Sequence, residues 1–75
     1  MIKGEHVTAA RDLLGWTKTT LAIKAGVSET TVLALERGRP RVTEPMITAI
    51  RRALEAAGIK FTEVSVTLGD EEAGR

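Results

Sequence analysis

The stretch AGVSETTVLALERG, residues 25–38, has the pattern of a helix end, a turn and a whole second helix, and it indicates the fold of this chain. Gly26 can adopt the left-handed backbone that ends a helix, and Ser28 can cap the helix that follows. Gly38 then ends that second helix. The segment therefore predicts two short helices joined at a steep angle by residues 25–28, although spacing alone also suits any small helical bundle.

Two helices are predicted up to this turn. In GEHVTAARDLLG, residues 4–15, Val7, Ala10 and Leu14 repeat at helical spacing, and Gly15 ends the helix. The next helix is TKTTLAIKA, residues 17–25, with Thr17 as its N-cap. The apolar side chains that we expect in the seam between the second and third helices are Leu21, Val27, Val32 and Leu35.

The C-terminal part changes from a helical to a strand-like pattern. Thr43 can cap a fourth helix over EPMITAIRRALEAA, residues 44–57, with Pro45 in its first turn. IKFTEVSVTL, residues 59–68, is rich in β-branched residues, and a phase slip near Thr62 indicates a bend. We predict a helical domain over 1–60, one β-strand extension over 61–68, and a flexible acidic tail over 69–75.

Composition excludes several kinds of site. The 75 residues are 43% hydrophobic and 28% charged, which suits one small globular domain. Cys is absent and His6 is the only histidine, which excludes thiolate and histidine-based metal sites. Since no nucleophile–base arrangement or phosphate-binding Gly loop is visible, we expect neither an enzyme nor a cofactor. No apolar run approaches the ~20 residues of a membrane span, so we expect a cytoplasmic, nucleoid-associated protein.

The charge is unevenly distributed along the chain. Residues 1–60 carry a formal charge of +4 and residues 61–75 carry −3, within a net charge of +1. A mildly basic body is compatible with nucleic-acid binding, although an ordinary solvated surface gives the same balance.

Residues 5–58 resemble the phage-repressor, Cro-like (Xre-type) helix-turn-helix family. The matching segments are ARDLLGWTKTTLA, KAGVSETTV, LERG and TEPMITAIRRALEAAG. The resemblance implies an all-α, lambda-repressor-like bundle, here with four helices and a short C-terminal β-strand extension in place of the usual fifth helix. It also implies that the third helix enters the major groove of double-stranded DNA, and that a homodimer binds an operator with two-fold symmetry.

The resemblance also implies roles for individual residues. Arg11 and Glu36 match an internal ion pair that fastens the third helix to the first. The groove-facing positions of the recognition helix, residues 28–37, are occupied by Ser28, Glu29, Thr30, Leu33 and Ala34. The cations that we expect to contact phosphates are Lys18, Lys24, Arg37, Arg39 and Arg41.

The predicted recognition helix begins with Glu29, whereas a DNA-reading helix more often has Gln, Asn or Arg near its start. Glu29 can accept a hydrogen bond from cytosine N4, and Leu33 and Ala34 can pack on thymine methyl groups. Glu29 can equally serve as a first-turn acid that the helix dipole favours, and Leu33 can be incidental.

We therefore expect a sequence-specific transcription regulator that acts as a homodimer. No second strand pattern is evident, so we expect the extension to pair with its copy across the two-fold axis. The side chains that this dimer would bury are Phe61, Val64, Val66 and Leu68. A tail that folds back on the fourth helix or stays loose is the alternative. Two other functions stay open, namely an antitoxin-type regulator that also binds a partner protein and a protein-interaction module on the same scaffold.

Overall fold

The structure, a computed structural model, describes residues 3–39, 42–61 and 66–68. These ranges contain four helices and two strands: α1 (Gly4–Leu14), α2 (Lys18–Ala25), α3 (Glu29–Glu36), α4 (Glu44–Ala56), β1 (Ile59–Phe61) and β2 (Val66–Leu68). The predicted all-α bundle with a short C-terminal β extension is confirmed. Helices α2, α3 and α4 begin directly after their predicted caps, and α3 and α4 each end one residue earlier than expected, with Arg37 and Ala57 as their C-caps.

All four helices and β1 contribute to one hydrophobic core. The buried side chains are Val7, Ala10, Leu21, Ala22, Val32, Leu35, Ile50, Leu54 and Ile59. Each helix provides two of them, so no helix buries its apolar face unless the others are in place. Within the described ranges, the residues that are buried as a whole are all apolar, so apolar packing fills the centre of the domain.

Hydroxyl groups cap the second and third helices. The Thr20 backbone N–H donates to Thr17 Oγ1 at 3.1 Å, and the Thr31 N–H donates to Ser28 Oγ at 3.1 Å. Each cap satisfies one of the N–H groups that the first turn of a helix leaves without a partner. The bounds of α2 and α3 are thus set locally, by residues next to each helix.

The start of α1 lies against the end of α3. A Cβ atom on Gly4 would lie 2.6 Å from the carbonyl oxygen of Glu36, and closer still to that of Leu35. Real Cβ atoms do not approach backbone oxygens so closely, so the two helix ends meet at this distance only because position 4 lacks a side chain.

The prediction of a single, unpartnered C-terminal strand is wrong. β1 and β2 pair antiparallel within the chain, with Ile59 opposite Leu68 and Phe61 opposite Val66. Each strand has only three residues, and each satisfies backbone groups of the other. Phe61 and Val66 pack against the core, where β1 contacts α4 and β2 contacts α1.

The extension therefore folds back onto its own helices: β1 contacts α4, as in the alternative that the sequence left open, and β2 contacts α1 instead. The predicted bend near Thr62, the dimer residue Val64 and the acidic tail over 69–75 lie outside the described residues.

Candidate nucleic-acid interface

Helices α2 and α3 form a tightly joined pair. Gly26 has a φ of 71°, in the left-handed region, which lets the chain leave α2 sharply. The Val27 N–H donates a hydrogen bond to the Ala22 carbonyl at 3.1 Å, and Ser28 then caps α3. Leu21, Val32 and Leu35 are buried and Val27 packs against them, so the expected seam is confirmed. The geometry is that of a helix-turn-helix unit.

An ion pair connects α3 to α1. Arg11 Nε donates to Glu36 Oε2 at 2.6 Å, and Arg11 Nη2 donates to Glu36 Oε1 at 3.0 Å. Thr8 Oγ1 donates to the same Oε1 at 3.0 Å, and Arg11 Nη1 donates to the Trp16 carbonyl at 2.9 Å. The Arg11 and Glu36 side chains are only 11% and 7% exposed. This bidentate, largely buried pair holds the C-terminal end of α3 in a defined position.

The electrostatics of Glu36 favour its charged form. Burial alone would raise the pKa of this carboxyl group, but hydrogen bonds from Arg11 and Thr8 outweigh it. The positive charges of Arg11 and Lys18 act in the same direction, and the net effect is a lowered pKa. The hydrogen bond to Glu36 correspondingly raises the pKa of Arg11.

The outer face of α3 carries the groove-facing residues that the sequence predicted. Ser28, Glu29 and Thr30 are exposed at its N-terminal end, whereas Leu33 and Ala34 are half-buried one turn later. The Ser28 hydroxyl caps the helix and lies 2.9 Å from Thr31 Oγ1, so it already has partners within the chain. Glu29 and Thr30 are therefore the exposed polar residues of this face whose side chains do not cap the helix.

The Glu29 carboxylate is held by a residue that the sequence analysis did not single out. Thr19 Oγ1 on α2 donates a hydrogen bond to Glu29 Oε2 at 2.6 Å. The two residues are ten positions apart, and no local motif pairs them. Only the crossing of α2 over the start of α3 brings them together, so the sequence carried no signal for this contact.

Basic residues flank the same unit. Arg37 and Arg39 are exposed at the C-terminal end of α3, and Lys24 is exposed at the end of α2. The Lys24 ammonium lies 5.9 Å from the centroid of the Trp16 ring, within the range of a cation–π interaction. Lys18 is half-buried, and its charge acts on Glu36. Arg41 lies outside the described residues.

Comparison with known families agrees with this geometry. A family model described as helix-turn-helix domain matches residues 4–68. The chain belongs to the helix-turn-helix domain family. A search of curated proteins found no match to it. A helix-turn-helix domain indicates a DNA-binding regulator, and domains of this family are typically non-enzymatic.

Within residues 3–39, 42–61 and 66–68, no group of three or more His, Asp or Glu residues could hold a metal ion. No helix in the same ranges is long and apolar enough to cross a membrane. Ile23 on α2 is 74% exposed, which leaves one large apolar side chain in contact with solvent.

Proposed function

We propose that this chain is a sequence-specific regulator of transcription of the phage-repressor, Cro-like (Xre) type, which binds double-stranded DNA with α3 in the major groove. One observation carries the proposal. The exposed start of α3 presents Glu29 and Thr30 to solvent, on a helix whose far end is fixed by the pair between Arg11 and Glu36. A rigid helix with accessible polar groups at its N-terminal end suits direct readout of base edges.

Specificity and affinity would come from different residues. Glu29 would accept a hydrogen bond from cytosine N4, and Thr30 would contact a neighbouring base edge. Leu33 and Ala34 are half-buried, and the exposed part of each side chain would pack on thymine methyl groups. Most of the affinity would come from phosphate contacts, which position the helix but carry no sequence information. The cations proposed for this role are Lys18, Lys24, Arg37, Arg39 and Arg41.

The proposed operator is two-fold symmetric, and the proposed regulator is a homodimer. Half-sites would lie about one turn of DNA apart, ~34 Å. Since β1 and β2 pair within the chain, a second copy would have to add to an outer edge of this two-stranded sheet. The dimer residues proposed from the sequence are Phe61, Val64, Val66 and Leu68, of which Phe61 and Val66 are already half-buried in the protomer.

Selection of bound sequences from a random duplex pool tests the proposal. We expect a palindromic motif, with binding that weakens steeply as salt rises. An Arg37→Ala/Arg39→Ala variant should lose affinity for every duplex, whereas an Arg51→Ala/Arg52→Ala variant removes equal charge from α4 and serves as the matched control. If the parent protein shows no salt-sensitive DNA binding and no enriched motif, a protein-interaction role through surfaces such as that around Ile23 replaces the proposal.

A further inference from the structure

We propose that Thr19 is a positioning residue that determines base specificity by holding the carboxylate of Glu29, an inference that rests on the proposed function. The contact that carries it is the hydrogen bond from Thr19 Oγ1 to Glu29 Oε2, at 2.6 Å. Both residues are exposed, and the bond runs between α2 and the first residue of α3. It lies at the end of α3 where bases would be read.

A glutamate at the start of a helix is by itself a poor reader of bases. Its side chain has several rotatable bonds, so an unrestrained carboxylate samples many positions, and ordering it on DNA costs conformational entropy. The bond from Thr19 restricts Glu29 before DNA arrives. The free protein thereby already holds the acceptor in one orientation.

The bond also leaves one carboxylate oxygen for a base. Oε2 accepts from Thr19, while Oε1 takes part in no hydrogen bond among the described residues. A carboxylate can only accept, so Oε1 matches the amino group of cytosine and is repelled by base acceptors. Thr19 therefore strengthens the preference of Glu29 for cytosine, although Thr19 itself need not contact DNA.

The hydroxyl groups of Thr17 and Thr20, close to Thr19 in the chain, do not take part in the bond to Glu29. Thr17 Oγ1 and Thr20 Oγ1 lie 3.0 Å apart at the cap of α2, and Thr17 Oγ1 also accepts the Thr20 N–H. A change at position 19 that keeps the shape of the side chain therefore spares the helix cap. Thr19→Val removes the donor at nearly constant volume, and Thr19→Ser keeps the hydroxyl as the matched control.

The experiment measures base discrimination. Four variants, Thr19→Val, Thr19→Ser, Glu29→Gln and the Thr19→Val/Glu29→Gln double variant, are titrated beside the parent on two duplexes. One duplex is the preferred sequence from the random pool, and the other carries the base-pair change to which Glu29→Gln is most sensitive. The ratio of the two Kd values is the discrimination, and each melting temperature reports the fold.

We expect Thr19→Val to lower the discrimination about fivefold, the effect of losing one hydrogen bond, with an unchanged melting temperature. Thr19→Ser should keep the parental ratio. The double variant should match Glu29→Gln, because the amide of Gln can turn either its donor or its acceptor toward a base and no longer expresses the preference that Thr19 strengthens. A purely structural bond would shift the melting temperature and leave the ratio unchanged.

Three results would overturn the inference. If Glu29→Gln alters the ratio and Thr19→Val does not, Glu29 reads DNA without help from Thr19, and the proposed function stands. If Glu29→Gln leaves the ratio unchanged on a protein that selects a motif, base reading belongs to other residues of α3. If the parent binds no duplex in a salt-sensitive manner, the proposed function fails together with the inference.

Discussion

Glu36, the last residue of α3, receives two hydrogen bonds from the guanidinium group of Arg11 on α1, at 2.6 and 3.0 Å. The pair spans 25 positions of sequence and joins the proposed recognition helix to the first helix of the bundle. Thr8 adds a third hydrogen bond to the same carboxylate. The position of α3 relative to the core therefore depends on one nearly enclosed carboxyl group.

Replacing Glu36 by Ala should destabilise the protein by ~3 kcal/mol or more, because Arg11 would remain largely buried without its partner. Urea denaturation measures the change in the free energy of unfolding. An Arg11→Met/Glu36→Leu double variant should lose less stability than Glu36→Ala, because it removes both charges and leaves neither one buried without a partner. A loss below ~1 kcal/mol in Glu36→Ala would mean that Arg11 is readily solvated.

The pair should also make stability depend on pH in the acid range. Because the folded protein lowers the pKa of Glu36 below its ordinary value, the ionised carboxylate stabilises the folded state above the unfolded pKa. That contribution should be lost as pH falls through the lower, folded pKa. Unfolding free energies from pH 7 to pH 2, compared between the parent and Glu36→Gln, isolate this effect. Parallel curves for the two proteins would contradict it.

Gly4→Ala should destabilise the protein by ~1–3 kcal/mol, although alanine normally favours helices over glycine. The added Cβ would collide with the carbonyl oxygens of Leu35 and Glu36, so the ends of α1 and α3 would have to separate. Glu5→Ala, at an exposed position of the same helical turn, is the control, and its melting temperature should stay close to that of the parent. Thermal melting distinguishes the two, and a more stable Gly4→Ala would show that the helix ends separate at little cost.

Arg39→Ala should weaken binding to every duplex and lower the slope of log K against log salt by roughly one unit. Lys18→Ala should have a similar effect on the slope. Because the Lys18 charge also lowers the pKa of Glu36, this variant should lose some stability as well. Fluorescence titrations at several salt concentrations measure the slope, and unchanged slopes in both variants would remove these residues from the interface.

Truncation after Lys60 should lower the melting temperature, because it removes β2 and the side chains of Phe61 and Val66 from the core. Sedimentation of the shortened protein tests the dimer in the same experiment. If it still dimerises and binds the full two-fold site with parental affinity, the extension is not the dimer element. A folded monomer with weakened binding to the two-fold site would support the extension as that element.

The helices and the turn between α2 and α3 could be predicted from interactions between residues that are close in sequence. Thr17 and Ser28 cap the helices that follow them, and Gly26 turns the chain between those helices, because each effect acts within a few residues. Helical periodicity predicted the buried faces for the same reason. The partnership of Arg11 and Glu36 was implied by family resemblance, since their spacing along the chain indicates nothing.

Local sequence signals thus predicted where the four helices lie, to within one residue at their C-terminal ends, and which faces they bury. Tertiary packing sets which distant groups meet: Thr19 with Glu29, Gly4 with the end of α3, and β1 with β2. The strands show the reason most clearly. The strand-like pattern over residues 59–68 did not show that two segments of it pair with each other. Each has only three residues, and their hydrogen bonds form only where packing on α1 and α4 brings them together.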